Sequence, residues 1–132
     1  EYLGEVTGTG GEVFANVCLE ALTDEQIKRF DNIRQGNDWG YAVDPAAFIR
    51  LHYDKTRRRI YIFGEIYSVG MSNRLLCDGI ISRQWVHPIP TADSAEPKSI
   101  DECDCYGVYM DAAKKGRVVS KPELNFCKIW KR

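Results

Sequence analysis

The sequence predicts a single α/β domain, a β-sheet flanked by helices, and three observations carry that prediction. Between Ile60 and Tyr67 β-branched and aromatic residues alternate, Thr23-Asp24-Glu25-Gln26 and Ser72 have the form of helix starts, and glycine or proline punctuates the runs between them. With 132 residues, 44% of them hydrophobic, the chain is long enough for one compact core and has neither a disordered nor a fibrous composition. Its 18 basic and 19 acidic residues leave a net charge of −1, so any contact with nucleic acid must come from local patches. No apolar run approaches the roughly 18 to 20 residues that a membrane-spanning helix needs. Five cysteines (Cys18, Cys77, Cys103, Cys105 and Cys127) without a C-x-x-C pair, and no apolar stretch before a cleavage-like site, fit a reducing cytosol.

In chain order, residues 1–17 hold Gly4, Gly8, Gly10 and Gly11 with few apolar side chains before Val13, and read as a tether. The capping box at Thr23 to Gln26 opens a short helix to about Phe30, because the Thr23 hydroxyl and the Gln26 side chain satisfy otherwise orphaned backbone N–H groups. A strand follows from about Ile33 to Asp38, closed by an acidic residue beside glycines that let the backbone turn or a neighbour approach. Asp44-Pro45 is a stop signal, and Ala46 to Tyr53 then runs extended. After the polar turn Asp54-Lys55-Thr56-Arg57-Arg58, Ile60, Ile62 and Ile66 alternate with Tyr61, Phe63, Glu65 and Tyr67, which predicts a strand covered on both faces and paired with the preceding run as a hairpin. Ser72 is the N-cap of a helix in which Leu75, Leu76 and Ile80 share one face while Arg74, Asp78 and Arg83 reach water. Pro88 and Pro90 donate no ladder hydrogen bonds, so the strand leading to Asp93 must be short and its entry irregular. Pro97 suits the first turn of the next helix, and Val108 to Ala113 supply a further short strand.

The candidate chemistry lies where two of these strands end. Thr91-Ala92-Asp93 reads as a strand closing on a carboxylate just before a helix start, and Gly36-Asn37-Asp38-Trp39-Gly40 has the same arrangement. Hard divalent cations take oxygen ligands. Phosphodiester hydrolysis needs an activated water and stabilised charge on the attacking and leaving oxygens, which two ions about 4 Å apart supply when acidic side chains converge from different strands. Asp38 and Asp93 are therefore candidate ligands of one shared site, and Glu65, on a strand face with Phe63 and Tyr67, is a further candidate catalytic carboxylate. Each has a plainer reading: Asp93 suits a cap for the Ala95-Glu96-Pro97 turn, and Glu65 suits an ion pair on the sheet surface.

These segments resemble the nuclease domain of bacteriophage terminase large subunits, which cut concatemeric DNA during head packaging. The likeness runs from about Tyr2 to Gly116 and rests on the Gly4-to-Gly11 tether, Asp38-Trp39-Gly40 with Asp44-Pro45-Ala46 after it, Gly64-Glu65-Ile66-Tyr67, and Ala92-Asp93-Ser94-Ala95-Glu96-Pro97-Lys98-Ser99-Ile100. The last motif is highly specific, whereas D-W-G alone is weak. The resemblance implies a ribonuclease-H-like mixed sheet flanked by helices and a two-metal mechanism with Mg²⁺ or Mn²⁺, held by Asp38 from the first strand and Asp93 from the later one. It further implies double-stranded DNA as substrate, portal and small terminase proteins as partners, and the cytoplasm of the bacterial host as location. By the same resemblance, residues 1–17 are a tether from a preceding ATPase domain, residues 18–116 a partial nuclease domain, and residues 117–132 a divergent tail.

Lys114-Lys115-Gly116 is similar to a K-K-G segment of the family, so Lys114 and Lys115, with Lys98 of the specific motif, are candidate DNA contacts; a solvated turn is the plainer reading. The family carries a third acidic ligand on a helix downstream of that segment. From Arg117 onward the sequence does not look like the expected continuation, so the expectation is a domain whose C-terminal part is missing and whose metal shell is incomplete.

Other site classes find little here. No G-x-x-x-x-G-K-[ST] loop occurs, the histidines His52 and His87 are not spaced with the cysteines as in structural zinc sites, and Trp39 reads as a core aromatic. A non-catalytic interaction module whose open sheet edge favours self-association is the competing function, and another ribonuclease-H-like enzyme, a resolvase or transposase, shares the carboxylate logic without the Ala92-to-Ile100 motif.

Overall fold

The computed structural model describes residues 17–40, 43–114 and 125–129. Seven strands and three helices follow one another as β1 (Val17–Glu20), α1 (Asp24–Lys28), β2 (Ile33–Asp38), β3 (Pro45–Asp54), β4 (Arg59–Val69), α2 (Asn73–Ser82), β5 (Thr91–Ala92), α3 (Pro97–Cys105), β6 (Asp111–Ala112) and β7 (Asn125–Ile129). Residues 1–16 of the expected tether, Lys115, Gly116 and most of the segment from Arg117 onward lie outside the described residues, while Val17, the tether's expected last residue, opens β1. The chain divides into two compact units. One holds described residues 17–33, 51–64 and 125–129, the other 34–40, 43–50 and 65–114.

In the first unit the strand order is β1-β7-β4-β3. β7 lies parallel to both neighbours, with Val17 opposite Phe126 and Arg59 opposite Asn125. It falls inside the segment read as a divergent tail. The helix α1 starts as expected: Thr23 Oγ1 accepts from the Gln26 N–H at 3.2 Å and Gln26 Oε1 accepts from the Thr23 N–H at 2.9 Å. It ends at Lys28, two residues short of the expected boundary. The β3–β4 turn forms around Asp54, whose Oδ1 accepts from the N–H groups of Thr56 and Arg57, each at 3.1 Å. Four turn residues permit only antiparallel pairing.

The second unit orders its strands β4-β3-β2-β5-β6, with β5 parallel to both β2 and β6. Parallel and antiparallel pairs together make the sheet mixed. Its core gathers Phe48, Ile66, Leu76, Cys77, Ile80, Ala92, Cys103, Val108 and Met110, with Trp39, Met71, Trp85, Val86 and Ile100 packed against it. Each large aliphatic side chain taken from water there contributes about 1.5–3 kcal/mol.

Three sequence expectations need correction. Leu75 is 60% exposed, and Cys77 joins Leu76 and Ile80 in the core instead. At 100° per residue Leu76 and Ile80 define the buried stripe, Cys77 falls beside it, and Leu75 lies off its other side. The outer half of β4 is not covered on both faces, since Glu65, Tyr67 and Val69 are exposed while Ile66 between the first two is buried. Its composition records packing on a pleated surface rather than burial of both faces. The strand expected over Val108 to Ala113 shrinks to Asp111–Ala112, because the backbone before it closes α3. Gly107, at φ +96°, donates to Asp104 O and Val108 to Cys103 O, the Schellman pattern, and buried Val108 packs with Cys103.

Candidate functional site

The second unit contains a shallow cleft of about 520 Å³ lined by Gly36, Asn37, Asp38, Ala47, Ile49, Thr91, Ala92, Asp93 and Ala113. Its position follows from register. Gly36 stands opposite Thr91 and Asn37 opposite Ala92, and Asp93 N–H donates to Asn37 O at 3.1 Å, so the pairing carries on to place Asp38 beside Asp93. Neighbouring strands are about 4.8 Å apart, so the two aspartates are brought within one strand spacing although 55 residues separate them in sequence. Side chains alternate across a sheet: Asn37 and Ala92 are buried, while Asp38 and Asp93 are exposed. The carboxylates therefore share the open face, at the carboxyl ends of two parallel strands, where ligands of α/β sheets bind.

The irregular entry to Asp93 has a physical cause. Pro88 and Pro90 have no N–H, and three carbonyls of this segment are taken by side chains: Gln35 Nε2 donates to Trp85 O at 2.7 Å and Pro88 O at 2.6 Å, and Arg50 Nη1 donates to His87 O at 3.0 Å and also to Gln35 Oε1 at 2.8 Å. This network holds the approach to β5 without a regular ladder. Only Thr91 and Ala92 are needed as strand to carry Asp93 into the cleft.

Asp93 does what the plainer of its two readings expects and still stands exposed in the cleft. Its Oδ1 accepts from the Ala95 N–H at 3.1 Å, which fixes the carboxylate on a turn, while Glu96 is the N-cap residue of α3 and makes no side-chain capping bond. Pro97 occupies the first turn, where a missing N–H is harmless. Beside Asp38, Gly40 is required by a close backbone approach: a Cβ there would stand 2.5 Å from both Ala46 N and Asp44 O. Gly36 leaves the cleft floor open.

Two residues near the carboxylates carry information that sequence reasoning passed over. Trp39 packs against the core, and its indole Nε1 donates to Asp93 O at 2.9 Å. Asn37 is 6% exposed, and its Oδ1 and Nδ2 have no hydrogen-bond partner, a condition that costs about 1–3 kcal/mol for each group. The first signal needs the β2–β5 register. The second needs burial.

The other candidates stand apart from the carboxylate pair or beyond what is described. Glu65 is exposed on β4 and is not among the residues that line the cleft. Lys98 is exposed in the first turn of α3, Lys114 is exposed next to the lining residue Ala113, and Lys115 lies outside the described residues. Among the described residues no three or more His, Cys, Asp or Glu side chains cluster as a metal site, and the acidic residues that line the cleft are Asp38 and Asp93.

Comparison with known proteins places this geometry. No family model matches the chain. The structure superposes on the large-terminase nuclease domain of bacteriophage SPP1, solved with bound Mn, at a TM-score of 0.77 and 37% identity, covering 88% of this chain and 71% of that one. The chain belongs to the phage large-terminase nuclease domains. The terminase large subunit of Bacillus phage SPP1 is 42% identical over 120 residues, which cover 88% of this chain and 28% of that protein. The PBSX phage terminase large subunit of Bacillus subtilis (strain 168) is 29% identical over 103 residues, covering 74% and 24%. This terminase nuclease domain thus spans about a quarter of the length of those relatives. Its mixed sheet flanked by helices is the ribonuclease-H-like fold expected from the D-W-G and A-D-S-A-E-P-K-S-I segments. No described helix is long and apolar enough to cross a membrane.

Proposed function

We propose that this chain is a divalent-metal-dependent endonuclease acting on double-stranded phage DNA, with Asp38 and Asp93 as the residues that hold the ion. The observation that carries the reading is their delivery, from segments 55 residues apart, to one face at the carboxyl ends of adjacent parallel strands. A hard cation fits this donor set, since both groups are carboxylates, both are exposed, and both line one cleft. The relative solved with bound Mn supports a divalent ion. When bound, Mg²⁺ or Mn²⁺ supplies an activated water and offsets charge on phosphodiester oxygens, as one ion or as the two-ion arrangement of the expected mechanism.

The residues around it supply position. Asp93 is held by its turn, Gly36 keeps the floor low, and Ala47, Ala92 and Ala113 present no bulk to a broad substrate. Lys98 and Lys114 add positive charge for the sugar-phosphate backbone. Within the phage-infected bacterial cytoplasm the partners of this reading are DNA, the portal and the small terminase. The test is nicking of supercoiled plasmid with Mn²⁺, abolished by EDTA and by Asp38→Ala or Asp93→Ala. A purified chain that never nicks, or variants that nick as fast as the parent, overturns it.

A further inference from the structure

We propose that Trp39 is a positioning residue for the carboxylate pair: beyond the end of β2, its indole N–H makes the hydrogen bond that keeps Asp93 opposite Asp38. The proposal rests on the reading of Asp38 and Asp93 as the ion-holding residues, and adds a residue that touches neither ion nor DNA.

The argument begins with parallel pairing. Every second residue of a parallel strand is gripped from both sides by its neighbour: facing position i, its N–H donates to residue i−1 and its C=O accepts from residue i+1. Asp93 faces Asp38 and is gripped in this way. Its N–H donates to Asn37 O at 3.1 Å, and its C=O accepts from Trp39. The donor in the second bond is the indole Nε1, at 2.9 Å. β2 ends at Asp38 and β5 at Ala92, so the final link between these two segments is made by a side chain.

That substitution has a geometric use. A side-chain donor lets the backbone after Asp38 bend away while Asp93 stays in register. The backbone does bend: Gly40 comes so close to residues 44–46 that a Cβ would be 2.5 Å from Ala46 N. The donor is anchored, because the Trp39 ring is half-buried and packed against the cluster of Phe48, Ala92 and their neighbours. With Ala95 N–H holding Oδ1, the backbone and the carboxylate of Asp93 are both fixed. A tryptophan serving only as filler would find some acceptor for its N–H. Here the acceptor belongs to one of the two residues on which the proposed site depends.

The two roles part when the N–H is removed and an aromatic ring is kept. Calorimetric titration of the full chain with Mn²⁺ should give a dissociation constant about two- to tenfold higher in Trp39→Phe, the worth of one neutral hydrogen bond. Asp38→Asn is the reference. If Asp38→Asn loses Mn²⁺ affinity and folded Trp39→Phe keeps it, the positioning role is overturned alone. If both keep it, the ion-holding reading fails and takes the proposal with it. Should Trp39→Phe not fold, hydrogen exchange of the indole N–H in the unaltered chain decides. Exchange slower than that of an exposed indole, and slower again with Mg²⁺, supports the proposal; exposed-indole exchange, or exchange indifferent to Mg²⁺, overturns it.

Discussion

Two clefts of nearly equal size, about 520 Å³ in the second unit and about 500 Å³ in the first, each carry a pair of aspartates, yet they differ in what those side chains do. The first unit's cleft is lined by Asp31, Asn32, His52, Tyr53, Asp54, Lys55 and Thr56. By residue type it looks richer in chemistry, since it adds a histidine. Asp54 and His52, however, are engaged in holding the fold. Asp54 accepts two turn N–H groups through Oδ1 and pairs with Arg57 through Oδ2 at 3.5 Å. His52 is 8% exposed, its Nδ1 accepts from the Asn32 N–H at 3.3 Å, and its ring stacks on Phe30 with centroids 4.4 Å apart. In the Asp38–Asp93 cleft both carboxylates stand exposed at the ends of two paired strands, Asp93 keeping one turn bond from the Ala95 N–H, and most of the other lining residues are small. Convergence of two exposed carboxylates from paired strands, rather than the tally of acidic side chains, separates the candidate site from the structural cleft.

The largest expected effect breaks or keeps that contrast. Asp38→Asn and Asp93→Asn preserve size and remove the charge, and each should lower Mn²⁺-dependent nicking by more than the roughly 10- to 100-fold that loss of a supporting residue costs. Asp31→Asn should leave nicking per folded molecule unchanged. Equal losses from both clefts, read as initial rates on supercoiled plasmid, would erase the distinction. Glu65→Ala belongs in the same series: outside the lining residues, it should change the rate little, and a loss as deep as that of Asp38→Asn would place it in the machinery after all.

The first unit's cleft should instead answer in stability. Phe30 stacks on His52 and on Tyr61 and also meets Phe63, with centroids 5.3 Å apart in the last two pairs. Phe30→Ala empties the middle of this cluster and should cost about 2–4 kcal/mol, below the full range for a wholly buried aromatic because Phe30 is only half-buried. Urea unfolding reads the loss, and Mn²⁺ affinity should be unmoved. Asp54→Ala comes next. Removing an acceptor shared by two turn N–H groups should cost about 1–2 kcal/mol, almost none of it from the Arg57 pair, whose cationic partner is 71% exposed.

How far these differences were legible in the sequence depends on the range of the forces involved. β2 has the bounds read from sequence, Ile33 to Asp38, and the Thr23 box and the Ser72 cap form as expected, because each signal is complete within a few residues. The juxtaposition of Asp38 and Asp93 was foreseeable as two strand ends that each close on a carboxylate. What could not be read depends on who packs against whom. Leu75 and Cys77 exchange places because the core lies on one side of α2, and Val108 belongs to the end of α3 because Gly107 turns there. β7 pairs with strands about 65 and 110 residues earlier in the chain, and no local pattern announces a parallel partner at that distance. Trp39 was read as core, which it is, and its bond to Asp93 becomes visible only once β2 and β5 are aligned.

The smallest expected effect concerns the wall behind Asp38 and has an unusual sign. His52 in one cleft and Asn37 in the other are both buried polar residues, but His52 Nδ1 has its donor whereas neither polar atom of the Asn37 side chain has a partner. Replacing an unpartnered amide by an apolar group of similar volume removes a desolvation cost and leaves no orphan behind. Asn37→Leu should therefore leave the urea midpoint unchanged or raise stability by up to about 1 kcal/mol, whereas a paired buried amide would lose about that much or more. A clear loss would mean that an internal water satisfies the amide, which a roomy polar site permits. Stability gained together with weaker Mn²⁺ binding would show that the amide is kept at position 37 for the cleft and not for the fold.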